Sequence, residues 1–262
     1  MEIKLLNINT VEFNNLNILI KASKITGILN NDLLPDIILK KKDYKGTILI
    51  NDLDINQYNL NLISYVKLDK LYLTKYVKDE FYLQLSKLKI DSNSYLSKIE
   101  SILSLVGLDN TYLNKEIKDL STSETYLLNL SLNLIIDPDI IILELSNDLD
   151  KNNKLLIKNI LLDLKRKYKK TIIIISNDVN ILYELTDYLI IFKDNKMLIN
   201  DKTSIVFNDN EFLNNNNIEL PDLVSFSNKA RNYNIKLKNY KDIKDLIKEV
   251  YKNVWENKKT TW

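Results

Sequence analysis

The sequence predicts an α/β fold built on a parallel sheet, because very apolar strands alternate with helical patterns through its second half. Residues 140–143 and 171–176 are almost wholly apolar, as expected of parallel strands that helices cover on both faces. Residues 1–50 instead contain short β-branched runs separated by Asn and Gly, which indicate a β-rich N-terminal part.

The predicted elements follow in a definite order. The early strands lie at 3–8, 16–20, 25–29 and 47–50, and apolar residues at helical spacing predict a helical insert from 77 to about 106. After residue 120 the pattern is helix 121–135, strand 140–143, helix 153–167, strand 171–176, helix 179–185 and strand 188–192. Two helical patterns near 224–233 and 242–255 follow. We therefore expect a main domain at 1–216, its helical part at about 77–130, and a C-terminal helical extension at 217–262.

Composition excludes several kinds of site. Lysine and arginine total 37 against 35 acidic residues, and a net charge of +2 argues against a nucleic-acid partner. The chain has no cysteine and no histidine, which excludes disulfides, thiol nucleophiles, histidine triads and most zinc sites. The cysteine content is typical of a cytoplasmic protein. We predict no signal peptide, and any membrane association is expected to be peripheral, because Asp137, Pro138 and Asp139 interrupt the longest apolar run.

The order of these blocks and several local strings resemble the ATPase subunits of ATP-binding-cassette (ABC) transporters. The similar strings are 25–29 (the strand before the phosphate loop), 46–50 with 52–55 (the hairpin after its helix), 105–108 (the segment before the signature motif), 137–144 (the second acidic motif), Leu149-Asp150 (the loop after it) and 171–178 (the strand before the switch histidine). Residues 220–223 and 242–247 are similar to the C-terminal extension of energy-coupling factor (ECF) importers. The resemblance implies a P-loop NTPase-like ABC ATPase domain at 1–216.

The phosphate loop departs most from the family pattern. A working loop needs glycines, a lysine and a Ser or Thr, whereas this chain has Asn30, Asn31 and Asp32 after the strand and Asp36 where the lysine belongs. The segment is also short, so we expect the following helix to be truncated or missing. The run Lys40 to Lys42 is interpreted as solvated charge rather than as a substitute for the missing lysine.

The signature motif of the family corresponds to Leu120-Ser121-Thr122-Ser123-Glu124, which keeps only the serine. Ser121 is one candidate nucleotide-binding residue. The spacing of Ser121 and Glu124 also predicts a capping box that begins a helix, and this second interpretation is favoured.

The remaining motifs retain single candidates. Glu144 follows a strand and matches either the catalytic glutamate or the magnesium aspartate of the family, but it cannot serve as both; a helix cap or a solvated edge is the alternative. Asp150 and Asn177, the latter at the switch-histidine position, are the other candidate nucleotide-binding residues. No metal ligands are assigned. The loop after 63–66 has Lys67, Leu68 and Asp69 in place of the family's glutamine.

Three functions remain open. The first is a catalytically impaired subunit of an ECF-type importer, which pairs with an active homologous ATPase, docks on a transmembrane coupling subunit and supports uptake of a small molecule such as a vitamin or metal ion. ATP and Mg²⁺ would then be bound through the partner subunit. The second is an active ATPase that uses Lys40 to Lys42 and Glu144, and the third is a soluble scaffold that kept only the fold. Tyr251, Trp255 and Trp262 are either partner anchors or cover for a small helical core.

Overall fold

The computed structural model describes residues 1–67, 69–88, 91–145, 150–233, 235 and 237–259, without the side chains of 151 and 253–259. Its strands are β1 (Ile3–Asn9), β2 (Leu16–Ile20), β3 (Ile25–Leu29), β4 (Lys45–Ile50), β5 (Leu53–Asp54), β6 (Ile63–Val66), β7 (Ile140–Glu144), β8 (Thr171–Ile175), β9 (Tyr188–Lys193) and β10 (Lys196–Lys202). They form a sheet in the order β10-β9-β3-β8-β7-β6 and a smaller sheet in the order β2-β1-β4-β5.

The larger sheet is parallel from β9 to β6, as the sequence predicts, and β10 pairs antiparallel to β9 at one edge. Every residue of β3 and β8 is buried. Side chains in a strand alternate between its two faces, so Ile172 and Ile174 enter one hydrophobic core while Ile173 and Ile175 enter the other. This division explains why β8 is a run of four isoleucines after Thr171, with no polar face.

Helices cover both faces of this sheet. They are α1 (Leu34–Ile38), α2 (Val77–Ser86), α3 (Tyr95–Leu105), α4 (Thr122–Leu134), α5 (Lys151–Arg166), α6 (Val179–Leu185), α7 (Thr203–Val206), α8 (Asn210–Asn215), α9 (Asp222–Asn232) and α10 (Ile243–Lys259). Helices α2 to α6 contribute to the first core, and α1 packs with the small sheet in the second. Within the described residues, none of the helices has the combination of length and apolar character needed to cross a bilayer.

Most predicted elements appear within a few residues of their expected positions, and the differences have local causes. The helical pattern at 77–106 forms α2 and α3, with residues 89 and 90 outside the described part of the chain. The sequence analysis assigned no strand to β6 or β10. Strand β6 contains Ser64, and β10 is a half-buried edge strand with lysine at both ends, so neither has a continuous apolar run.

The C-terminal segment packs partly on the main core and partly on itself. Val224 of α9 belongs to the first core, whereas Ala230, Leu237 and Leu246 form a small separate cluster. Along α10, Tyr251 is exposed; the side chain of Trp255 and all of Trp262 lie outside the described residues.

Gly46 lies in β4, at an irregularity in the pairing of β4 with β1. The register shifts between Leu6 and Asn9, and Gly46 has a φ of +119°. A Cβ at this position would lie 2.5 Å from the carbonyl oxygen of Asn7 and 2.7 Å from that of Leu6. Only glycine fits, because both neighbours are backbone atoms that cannot rotate away.

Gly46→Ala is expected to lower the free energy of unfolding by about 2–3 kcal/mol, since it combines backbone strain with a clash. Chemical denaturation monitored by circular dichroism measures this loss. The control is Thr47→Ala, at the next, exposed position of the same strand, where a change below about 1 kcal/mol is expected. An equal loss in both variants would contradict the assignment of a special conformation to Gly46.

Candidate functional site

The carboxyl ends of β3, β7 and β8 meet at one edge of the parallel sheet. Ile28 pairs with Ile175, and Glu144 also pairs with Ile175. At this edge Asn30 follows β3 directly, and Asn177 follows β8 after Ser176. Ligands of open α/β sheets bind outside the carboxyl ends of the strands, so this edge is the candidate functional site.

The loop after β3 forms its own hydrogen bonds and closes on itself. The Oδ1 atom of the buried Asn31 accepts hydrogen bonds from the amides of Leu33 and Leu34, at 3.2 and 3.0 Å. A bound phosphate would need amides of this kind, because its negative charge is held by backbone N–H groups at the start of a helix. The side chain of Asn31 therefore takes the place that an anion would occupy.

Helix α1 leaves no further amide for an anion at its first turn. Pro35 has no N–H, and the amide of Asp36 donates to the carbonyl of Leu33 at 3.1 Å. Leu34, Ile37 and Ile38 are fully buried. The prediction of a truncated helix is confirmed, since α1 has only five residues, and its amides from 33 to 36 bond within the protein or are absent.

Carboxylates converge where a phosphate would need positive charge. The hydroxyl of Tyr65, at the end of β6, donates a hydrogen bond to Oε1 of Glu144. The pKa of Tyr65 is raised by burial first, then by that hydrogen bond and by the charges of Glu144, Asp36 and Asp32. These three carboxylates therefore lie close enough to act on one phenol, and their field opposes binding of a polyphosphate.

The lysine run after α1 is directed mainly to other partners. The ammonium of Lys40 donates to Asn56, and that of Lys42 forms an ion pair with Glu12. Lys41 lies over the ring of Tyr65, with its Nζ 5.8 Å from the ring centroid. Two of the three lysines are thus engaged away from the sheet edge, which leaves Lys41 as the one member of this run beside it.

Glu144 is held between two elements. Its side chain accepts from Tyr65, and its backbone carbonyl accepts from the hydroxyl of Tyr126 in α4 at 2.8 Å. The sequence analysis did not identify Tyr65 as a site residue. The sequence shows only a tyrosine in a short apolar segment. That the hydroxyl of Tyr65 lies at the sheet edge follows only from the pairing of β6 with β7.

Ser121 and Glu124 form the predicted capping box. The Ser121 Oγ accepts from the amide of Glu124 at 3.3 Å, and Oε2 of Glu124 accepts from the amide of Ser121 at 2.8 Å. Glu124 also accepts a hydrogen bond from the hydroxyl of Tyr112. That bond, with those from Ser121, lowers the pKa of Glu124 to about 2. Ser121 lies on the exposed surface at the start of α4.

Asp150 begins α5 and is tied to the start of α4. It accepts from the amides of Asn152 and Asn153, both at 3.0 Å, and from the hydroxyl of Ser123 at 2.9 Å. These bonds lower the pKa of Asp150, the amide of Asn153 contributing most. The structure therefore brings the regions of Ser121 and Asp150 together through Ser123. Leu149, the other residue of this predicted loop, lies outside the described residues.

Asn177 is exposed after β8, next to the buried Ser176. The hydroxyl of Ser176 donates to the carbonyl of Leu145 at 2.8 Å, which joins the segments after β7 and β8. Asn177 and Glu144 therefore border the same edge, whereas Ser121 and Asp150 form a second group at the starts of α4 and α5. Across the described ranges, no cluster of three or more acidic side chains is arranged to hold a metal ion.

The fold has counterparts among solved structures. CbiO1 from Clostridium perfringens, part of the ABC transporter complex CbiONQ, superimposes with a TM-score of 0.71 at 18% identity, covering 86% of this chain and 98% of that one. A dimeric bacterial ABC transporter cassette gives a TM-score of 0.67 at 19% identity, and a dimeric cassette bound to ADP and Pi gives 0.66 at 18%; each comparison covers 77% of this chain and 98% of the other. This chain has the ABC transporter ATPase fold. The sequence matches no protein-family model and no curated protein.

Within the ABC ATPase fold, the four candidate residues occupy ends of structural elements, and two of them already have structural roles. Asp150 caps α5 and Ser121 caps α4, while Glu144 is bonded to Tyr65. Asn31 was noted in the sequence only as a departure from the glycine pattern, and the hydrogen bonds of its side chain to the amides of Leu33 and Leu34 were not predicted. The signal was present, because an Asn or Asp placed shortly before a proline is typical of a helix start.

Glu124→Gln is expected to lower the free energy of unfolding by about 1 kcal/mol at neutral pH. A pKa lowered from 4.5 to about 2 in the folded chain adds stability that is complete above pH 4.5 and is lost as the pH falls toward 2. The gap between parent and variant should therefore close over this pH range in urea denaturation. Thr122→Ala, which leaves both bonds of the capping box in place, should keep the parent's pH dependence. A gap independent of pH would contradict this account.

Proposed function

We propose that this chain is the ATPase-like, catalytically impaired subunit of an ECF-type ABC importer, and that it works beside an active ATPase. The observation that carries the proposal is the loop after β3, where Asn31 bonds the amides of Leu33 and Leu34 that a phosphate would otherwise use. Asp36 adds a negative charge in the first turn of α1. A chain built in this way has no means of holding the β-phosphate in its own loop.

The proposed partner is a homologous ABC ATPase subunit with a working phosphate loop, in a heterodimer. In this arrangement ATP and Mg²⁺ are bound by the partner's loop, and this chain contributes the region around Ser121, Asp150 and Asn177. Ser121 suits such a role because it is exposed at the start of α4. Its hydroxyl also interacts with the carboxylate of Glu124, and it would turn from that carboxylate to donate to a phosphate. Two copies of this chain would leave no competent site.

The proposed complex also contains a transmembrane coupling subunit, which places this chain at the cytoplasmic face of the cell membrane as a peripheral protein. CbiO1, the solved structure with a TM-score of 0.71, is part of the CbiONQ transporter complex. The cargo is proposed to be a small molecule such as a vitamin or metal ion, selected by a membrane subunit rather than by this chain.

The contacts of Lys40 and Lys42 argue against the alternative of an active ATPase that binds phosphate through this lysine run. Lys40 and Lys42 would have to leave Asn56 and Glu12 to reach a nucleotide. A soluble scaffold that kept only the fold stays as the alternative, and it is distinguished from the importer subunit by whether membrane proteins bind.

The test is reconstitution with an active ABC ATPase and the coupling subunit from the same cell. We expect one copy of each ATPase in the complex by size exclusion, and ATP turnover that Ser121→Asn lowers by about tenfold or more. Asparagine caps helices as well as serine does, so this variant removes the hydroxyl while keeping the start of α4. Ser104→Asn, the same substitution at an exposed position of α3, is the control and should leave turnover unchanged.

Two results would count against the proposal. Failure to bind any membrane subunit or ATPase would favour the scaffold. If Ser121→Asn leaves the turnover of the complex unchanged, Ser121 is not part of the composite site.

A further inference from the structure

A cavity of 390 Å³ opens beside the end of β6, between that strand and helices α2 and α4. The polar residues in its wall are Tyr65, Lys67, Asp69, Lys70, Gln84, Asn129 and Asn133. Its volume falls in the range of pockets that hold small molecules. The wall carries two ammonium groups against one carboxylate, so its net charge is positive.

Neither ammonium group of this cavity forms an ion pair with a carboxylate in the described part of the chain. Among the described residues, no carboxylate oxygen lies within 4.0 Å of the Nζ of Lys67 or of Lys70. Other lysines of the described chain do have a carboxylate within that distance. Each group lies over an aromatic ring instead, at 5.1 Å from the centroid of Tyr65 for Lys67 and of Tyr72 for Lys70. A ring face holds a cation in position without cancelling its charge.

The buried carboxylate of Glu80 accepts hydrogen bonds from other donors. Glu80 lies within the electrostatic range of Lys70, but its Oε2 accepts from the amides of Leu73 and Thr74 and from the hydroxyl of Thr74, at 3.0–3.2 Å. Burial lowers the pKa of Lys70, and the charge of Glu80 only partly opposes this shift. An anion in the cavity would recover the interaction energy that Lys70 loses by desolvation.

Two asparagines of α4 fix one side of the cavity. The Nδ2 of Asn129 donates to the carbonyl of Lys67 at 2.7 Å, which ties the lysine's backbone to the helix. The Nδ2 of Asn133 donates to the carbonyl and Oδ1 of Asn129, at 2.8 and 2.9 Å. Because both asparagines lie on one helix and are hydrogen-bonded to each other, they fix the backbone of Lys67 from which its side chain reaches the cavity.

We propose that this cavity is a binding site for a small organic anion with carboxylate or phosphate groups, anchored by the ammonium groups of Lys67 and Lys70. Asp69 limits the ligand to one whose negative groups lie toward the lysines. Gln84 supplies the Nε2 of its amide for the ligand's other polar atoms, and Asn133 supplies Oδ1, because its Nδ2 already donates to Asn129. The site needs neither nucleotide nor a second subunit, so its existence is independent of the importer role proposed above. Carboxylate side chains of a partner protein share this chemistry, and free probes distinguish the two sources.

The first test uses citrate and inorganic phosphate as probes in equilibrium dialysis, at an ionic strength kept constant with sodium chloride. The parent chain should bind at least one probe saturably, and Lys67→Gln with Lys70→Gln should weaken binding by about tenfold or more. Lys78→Gln is the matched control, because Lys78 also lies over a tyrosine ring, that of Tyr82, but outside the cavity wall. It should bind as the parent does.

The second test needs no variant and so does not depend on the folding of one. Limited acetylation of lysines, read by mass spectrometry, should be slowed at Lys67 and Lys70 by the bound probe and unchanged at Lys78. Absence of saturable binding of either free probe to the parent chain, or equal protection of all three lysines, would overturn the proposal. Protection by an added partner protein alone would assign the site to an acidic segment of that partner and would equally overturn the small-anion proposal.

Discussion

The burial of an isoleucine-rich parallel sheet on both faces is the constraint on which the rest of this structure depends. Strands β3 and β8 have no exposed residue, and neighbouring residues of β8 enter two different cores. The small antiparallel sheet and α1 must cover one face, and helices α2 to α6 the other. The two cores are held together mainly by the burial of the chain's own apolar side chains rather than by the polar loops at the sheet edge.

This independence explains how the loops at the sheet edge can depart from the family pattern without loss of the fold. The loop after β3 lacks the family's glycines and is not shaped to wrap around a phosphate. Its backbone amides need another hydrogen-bond partner, because buried N–H groups are costly when unpaired. Asn31 supplies that partner and Pro35 removes one donor altogether. Farther along the same edge, the hydroxyl of Tyr65 in β6 donates a hydrogen bond to the carboxylate of Glu144 in β7. The edge is therefore closed by the protein's own side chains.

The parts predicted from sequence are those that depend on local pattern. Strands at 16–20 and 25–29 and the helix at 179–185 have the predicted bounds, and the capping box of Ser121 and Glu124 follows from a spacing of three residues. The pairing of Tyr65 with Glu144 joins residues 79 apart in the chain, and no local pattern reports it. The cavity near Lys70 was missed for the same reason, because three separate elements build it.

The central claim is that the phosphate loop is filled by the protein itself, and calorimetry of the purified chain with magnesium-ATP tests it most directly. The protein concentration must be high enough to detect a dissociation constant of about 1 mM, or about −4 kcal/mol. The account predicts no saturable heat for the isolated chain, with a competent ABC ATPase binding under the same conditions. Saturable binding by the isolated chain would contradict the claim, and it would require that Asn31 release the amides of Leu33 and Leu34 to the nucleotide.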